Sequence, residues 1–193
     1  MDDPKIGYKE LYLIVISIIH GSLFFIFLDK LNEGYKDFNF LNISFYIFIF
    51  CVFLRIFQTQ VLAAIRYENK WKLKIFDFVV IFVIGAFEYF LMQLLDNSNF
   101  NKEKIYVYFI CFGIVGIIGY VFTYLSIKKS NEDNIKEKNI QLINILALII
   151  IISIFLVAFF SESNISKILA NIFCSIIFVF NIYSSLKMSN ALN

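Results

Sequence analysis

The chain has 193 residues, 60% of them hydrophobic and only 17% charged, with a net charge of +2 and a mean hydropathy of +0.78. An ordinary soluble domain carries about 45–50% apolar and about 25% charged residues. A single soluble core is therefore excluded, because lipid must solvate part of this apolar surface; the small charge, with no basic block or nucleic-acid motif, argues against nucleic acid as a partner.

The mixed-charge opening "MDDPKIGYKE" leads into an apolar run over 11–28. No small-x-small cleavage site follows it, so the run reads as a retained first helix rather than a signal peptide. His20 lies near its middle in "SIIHGSLFF". Ser17, His20 and Gly21 are expected on one helical face by their i, i+3, i+4 spacing. A neutral histidine bonded to a neighbouring helix is the expectation. A lone histidine has no ligand set for a metal, so neither metal nor cofactor is expected.

The second run, 41–64, contains "FCVFLRIFQTQ" and places Arg55 inside it. A cation at mid-bilayer costs about 2.5–3.5 kcal/mol on insertion scales. The third run, 75–95, offers a counter-ion in Glu88. In a simple hairpin with residue 64 level with residue 75, Arg55 falls level with Ile84 and Gly85. Glu88 is then four residues further along, about 6 Å by helical rise. Asp77 returns to nearly the face of Glu88 after eleven residues, at about 3.6 per turn. Asp77, Gly85 and Glu88 are thus expected as one stripe facing Arg55, with Gln58 and Thr59 on the arginine's own face. Two other readings stay open. Either the second span covers 38–57, so that Arg55 snorkels to the cytoplasmic headgroups and "QTQVLAAIRYENK" continues as helix outside, or the pair is structural glue.

The fourth run, 105–127, repeats Gly113, Gly116 and Gly119 with Thr123 beyond them. That spacing predicts a smooth groove for close helix approach, and a pore lining is the sharper alternative. A fifth run covers 142–160. The sixth, 166–186, carries Asn171, Ser175, Asn181 and Ser185, with Cys174, near one face, which suits interhelical hydrogen bonds. Cys51, Cys111 and Cys174 sit in separate runs and read as small apolar side chains. The single proline, Pro4, lies outside every run, so the spans lack the breaks that solute-binding transporter helices usually show.

Six runs near the spanning length of about 20 residues predict an all-α, polytopic integral membrane helix bundle, one domain over 1–193. Of the 17 Lys and Arg residues, eleven fall in the N-terminus, second loop, fourth loop and C-terminus, and five in the other three loops. Both termini are therefore expected in the cytoplasm, with Trp71 as an interfacial anchor in the most basic loop.

No Walker loop, HExxH, GxSxG, CaaX, paired catalytic carboxylates or TVGYG filter occurs, so no enzyme activity is expected. The expected function is a small homo-oligomer in membrane lipid that forms or regulates an ion-permeable path. The build suits a stress or phage-defence effector of a bacterial cytoplasmic membrane. Two alternatives stay open. One is a solute permease or transporter membrane subunit. The other is an anchor or accessory subunit for a cytoplasmic protein docking on the basic loops at 66–74 and 128–138.

Overall fold

A computed structural model describes residues 4–34, 39–66, 75–95, 102–129 and 135–190. Within them the chain is all-α: α1 (Pro4–Gly34), α2 (Phe40–Arg66), α3 (Ile75–Gln93), α4 (Lys102–Lys129), α5 (Ile135–Phe160) and α6 (Asn164–Asn190). Each expected run is helical except that the third ends in a turn at residues 94–95, and most helices extend beyond the apolar run by several residues. Five contain apolar stretches of 23–24 residues: Glu10–Glu33, Phe40–Leu62, Glu103–Leu125, Lys138–Phe160 and Asn164–Lys187. At about 1.5 Å per residue each is about 35 Å long, enough for a hydrocarbon core of about 30 Å. The described apolar part of α3 is shorter, Val79–Gln93.

Side-chain caps set two of the helix starts. Asn39 Oδ1 accepts the Leu41 backbone N–H at 3.0 Å, and its carbonyl accepts from Ile43. Ser163 Oγ accepts the Ser166 backbone N–H at 3.5 Å, starting α6 three residues after α5 ends. Asn and Ser suit these positions because their short oxygens replace the missing intrahelical acceptor.

Contacts divide the chain into two compact units, with the division falling inside α2 between Val52 and Phe53. The first unit holds α1, α2 from Phe53 onward, and α3. The buried line on α1 is Tyr12, Ile16, His20, Leu23 and Phe27; that on α3 is Ile81, Gly85, Glu88 and Met92. Both repeat at three and four residues, the period of one helical face. Ile16 clusters with Ile81, Ile19 meets Gly85, and His20 meets Glu88. Residue numbers rise together, so α1 and α3 run parallel. On α2, Phe53 meets Phe24 while Phe57 meets His20, and these numbers run in opposition. That is the order an alternating thread through a membrane produces.

α1 approaches α3 closely at Gly85, where an added Cβ would lie 2.7 Å from Ile19 Cγ2. An isoleucine branch on a helix has little rotamer freedom to yield. Gly85→Ala is expected to destabilise the detergent-solubilised protein by about 1–3 kcal/mol. Adding Ile19→Ala should recover part of the loss, read as a thermal shift. No recovery would mean that the two residues do not touch.

The second unit holds α2 up to Val52 together with α4, α5 and α6. Phe48 sits at the centre of its aromatic core. Its ring lies 4.5 Å from Phe109, 4.8 Å from Phe155 and 5.7 Å from Phe178, centroid to centroid. Tyr106 joins through Phe45 at 5.2 Å and Phe155 at 5.3 Å. α4 and α5 pack antiparallel through the glycine face: a Cβ on Gly113 would lie 2.9 Å from Ile152, and one on Gly116 2.9 Å from Leu148. The expected close-packing groove is thus present over two of its three glycines. Gly119 has open space where a Cβ would be.

The orientation carries its own test. With the basic loops inside, a reporter active only in the cytoplasm and fused after Asn193 should be active. A silent fusion, with a second reporter active in the opposite compartment, would overturn the threading.

Candidate functional site

The spans bury many of their polar side chains. His20, Ser44, Arg55, Gln60, Glu88, Gln141, Asn144, Asn171, Ser175, Asn181 and Ser185 are all buried. Hydroxyls on outward positions are satisfied within their own helices. Ser17 donates to the Leu13 carbonyl, Ser22 to Ile18, and Ser153 to Ile149, each four residues back.

In the first unit His20 and Glu88 form an ionisable pair, each 3% exposed. The His20 Nδ1 lies 3.0 Å from the Ile16 carbonyl oxygen. A carbonyl only accepts, so Nδ1 carries a hydrogen. Nε2 then faces Glu88 Oε2 at 3.3 Å. The contact is close enough for ion pairing but is not aligned as a hydrogen bond, so Nε2 and both Glu88 oxygens lack a hydrogen-bond partner. The rings of Phe53 and Phe57, each 5.3 Å from the imidazole, wall the site from α2.

This corrects the expected Arg55–Glu88 pair: the ionisable side chain that Glu88 meets is His20. The helical depth was close, since Phe57 and Glu88 both touch His20 and so put Arg55 within a few residues of that level. The face was wrong. At about 100° per residue, Arg55 lies roughly opposite the direction shared by Phe53 and Phe57. Gly85 likewise seats against Ile19 on α1 rather than clearing space for the arginine. Arg55 is 6% exposed, and its Nη1 donates to Gln58 Oε1 at 2.6 Å. Thr59 Oγ1 donates back to the Arg55 carbonyl at 2.8 Å. The helix runs on past residue 57 to Arg66, as both the mid-span and the snorkelling readings of Arg55 expect. The backbone of Asp77 is on α3, and its side chain is outside the described residues, as are the side chains of residues 66–74 and 128–137.

Ser17 and Gly21 do not share the buried face of His20; both are exposed. Their positions flank the buried line rather than lie on it, because 20 and 21 differ by about 100° around the helix.

In the second unit the expected stripe on α6 is buried as one face: Asn171, Cys174, Ser175, Asn181 and Ser185. Asn171, 0% exposed, donates from Nδ2 to Ser44 Oγ at 2.9 Å. Ser44 in turn donates to the Leu41 carbonyl at 2.7 Å, and Ser175 to the Asn171 carbonyl at 2.8 Å. Asn171 Oδ1, Asn181 Oδ1 and Gln141 Oε1 are buried without a hydrogen-bond partner, and the Tyr106 hydroxyl is buried beside the Asn171 side chain. An amide oxygen of this kind can accept a hydrogen bond from water or ligate a small cation. Among the described residues no group of three or more His, Cys, Asp or Glu side chains is arranged to hold a metal.

Sequence reading missed Ser44, Gln60, Tyr106, Gln141 and Asn144. Gln141 and Asn144 sit at the polar start of the fifth run, where they resemble a flank. The available signal was their three-residue spacing in register with the buried Ile140, Ile151 and Phe155.

The fold and the inward polar groups define the class: an all-α integral membrane protein. No family model matches the chain, and no curated protein or solved structure shows significant similarity to it.

Proposed function

We propose that the chain is a small multi-pass membrane protein that forms or regulates an ion-permeable path, acting as a homo-oligomer in a bacterial cytoplasmic membrane. The supporting observation is the burial of so many polar groups inside its spans, several of them without partners. An inert anchor needs none of these, and each costs free energy in an apolar setting. Two unpartnered amide oxygens, Asn171 Oδ1 and Asn181 Oδ1, lie on one face of α6.

Burial within one protomer changes what supports assembly. The polar groups do not require a neighbouring subunit to hide them from lipid. Assembly is supported instead by small residues on outward surfaces: Gly21 on α1 and Gly119 on α4 both have open space at the Cβ position, which lets another helix approach closely. A stress or defence role is a finer proposal supported by size and build.

The test is reconstitution. Purified protein in liposomes should release entrapped monovalent ions faster than empty liposomes, and Asn171→Leu should slow that release several-fold. Particle imaging should show a cyclic oligomer. Tight liposomes under every gradient and voltage applied, together with a monomeric particle, would reject the reading in favour of a transporter or accessory subunit.

A further inference from the structure

We propose that the His20–Glu88 pair is a proton-binding site, which makes the proton the ion of the path. The second half rests on the ion-path reading above; the first half does not.

The geometry carries the inference. The Nδ1 hydrogen is committed to the Ile16 carbonyl at 3.0 Å. Nε2 therefore has a free lone pair whenever the ring is neutral, and Nε2 lies 3.3 Å from Glu88 Oε2. A neutral imidazole nitrogen and a carboxylate oxygen are both acceptors. Bringing them together without a hydrogen between them is repulsive. One proton resolves this, bonded either to Nε2, giving imidazolium beside carboxylate, or to Oε2, giving neutral imidazole beside carboxylic acid. Both arrangements leave the pair with zero net charge. Removing the proton leaves one negative charge on the pair, and adding a second leaves one positive charge. Loading or release moves a single proton to or from water and changes no other bond.

The groups described in contact with the pair are one backbone carbonyl and apolar side chains. From α1 the neighbours are the Ile16 carbonyl and Ile19; from α2 they are the rings of Phe53 and Phe57; from α3 it is Gly85 beside Glu88 itself. Arg55 is on the far side of α2 from these rings. Asp77 lies eleven residues before Glu88 on α3, about 16 Å by helical rise. Glu88 Oε1 is also buried without a hydrogen-bond partner, so the carboxyl is not fixed by other donors and can rotate to hand a proton on. Buried ionisable groups in membrane spans mark proton and ion pathways more often than structural glue.

The test is infrared difference spectroscopy on the full chain in lipid vesicles, stepped between acidic and alkaline pH. The wild type should show a carboxylic-acid C=O band that exchanges for a carboxylate band as pH rises. Glu88→Gln should lose this pair of bands, and His20→Gln should move its midpoint. Glu88→Asp serves if the glutamine variant does not fold, and should shift both band position and midpoint. Spectra of folded variants identical to wild type would overturn the proton site. A parallel flux arm separates the two ideas. Vesicles with an imposed pH gradient and an internal pH dye should acidify with wild type and lose most of that rate with Glu88→Gln. A titrating Glu88 band in vesicles that remain tight to protons and to monovalent ions would uphold the site and reject the ion path. Potassium or sodium release with no Glu88 band would do the reverse.

Discussion

Glu88→Ala is expected to lower the stability of the detergent-solubilised protein by about 3–5 kcal/mol, the range for removing one partner of a buried charged pair. The cost arises mainly from what is left behind. His20 keeps its Nδ1 bond to Ile16, but its Nε2 loses the carboxyl 3.3 Å away and finds only Phe53 and Phe57 around it. His20→Phe with Glu88→Leu should cost less than the sum of the two single changes, since the double variant strands neither partner. A chemical-denaturation series or thermal shifts would read the cycle. Strict additivity would mean that the two side chains contribute nothing to each other.

Phe48→Ala should be nearly as costly, about 3–5 kcal/mol, for a different reason. Phe48 is 0% exposed, and its ring meets Phe109, Phe155 and Phe178 on three different helices. Lipid tails are as apolar as these rings, so the loss is one of packing contacts and not of water exclusion. Phe160→Ala makes the control, because Phe160 is 79% exposed and faces outward. Its effect should lie within about 0.5 kcal/mol. Equal effects at the two positions would refute the aromatic core of the second unit.

The helices were legible because the signal for them is one-dimensional. A run of apolar residues with no proline in it must satisfy its own backbone in lipid, and only a helix does so within one segment. The stripe on α6 was legible for the same reason: Asn171, Ser175, Asn181 and Ser185 share a helix, so their spacing alone fixes their common face. Arg55 and Glu88 do not share a helix. Their relation depends on the register between α2 and α3 and on the rotation of each about its axis. The loop between them gives depth to within a few residues but gives no rotation. The parallel pairing of α1 with α3 joins residues far apart in sequence, and it was this pairing that brought His20 to Glu88. Gly85 illustrates the same limit. Its lack of a side chain announced a close approach, but not that Ile19 would be the group approaching.

The glycine pattern on α4 divides similarly. Spacing placed Gly113, Gly116 and Gly119 on neighbouring positions, and the first two do receive α5 through Ile152 and Leu148. Where along that face the partner helix diverges is set by the crossing of two helices, which spacing on one of them does not encode.

The most direct test of a path through the protein's interior is whether water reaches its buried polar face. In a chain with Cys51, Cys111 and Cys174 replaced by alanine, single cysteines would be placed at Asn171 and Asn181 and, as controls, at Phe25 and Val157, which are 75% and 68% exposed. A thiol reacts as its thiolate, which forms only where water is available. A membrane-impermeant thiol reagent applied to vesicles under an ion gradient should label Asn171→Cys and Asn181→Cys and leave Phe25→Cys and Val157→Cys unlabelled. Inert cysteines at both asparagine positions in folded, reconstituted protein would contradict it, and would make the buried stripe a set of interhelical hydrogen bonds in a dry interior.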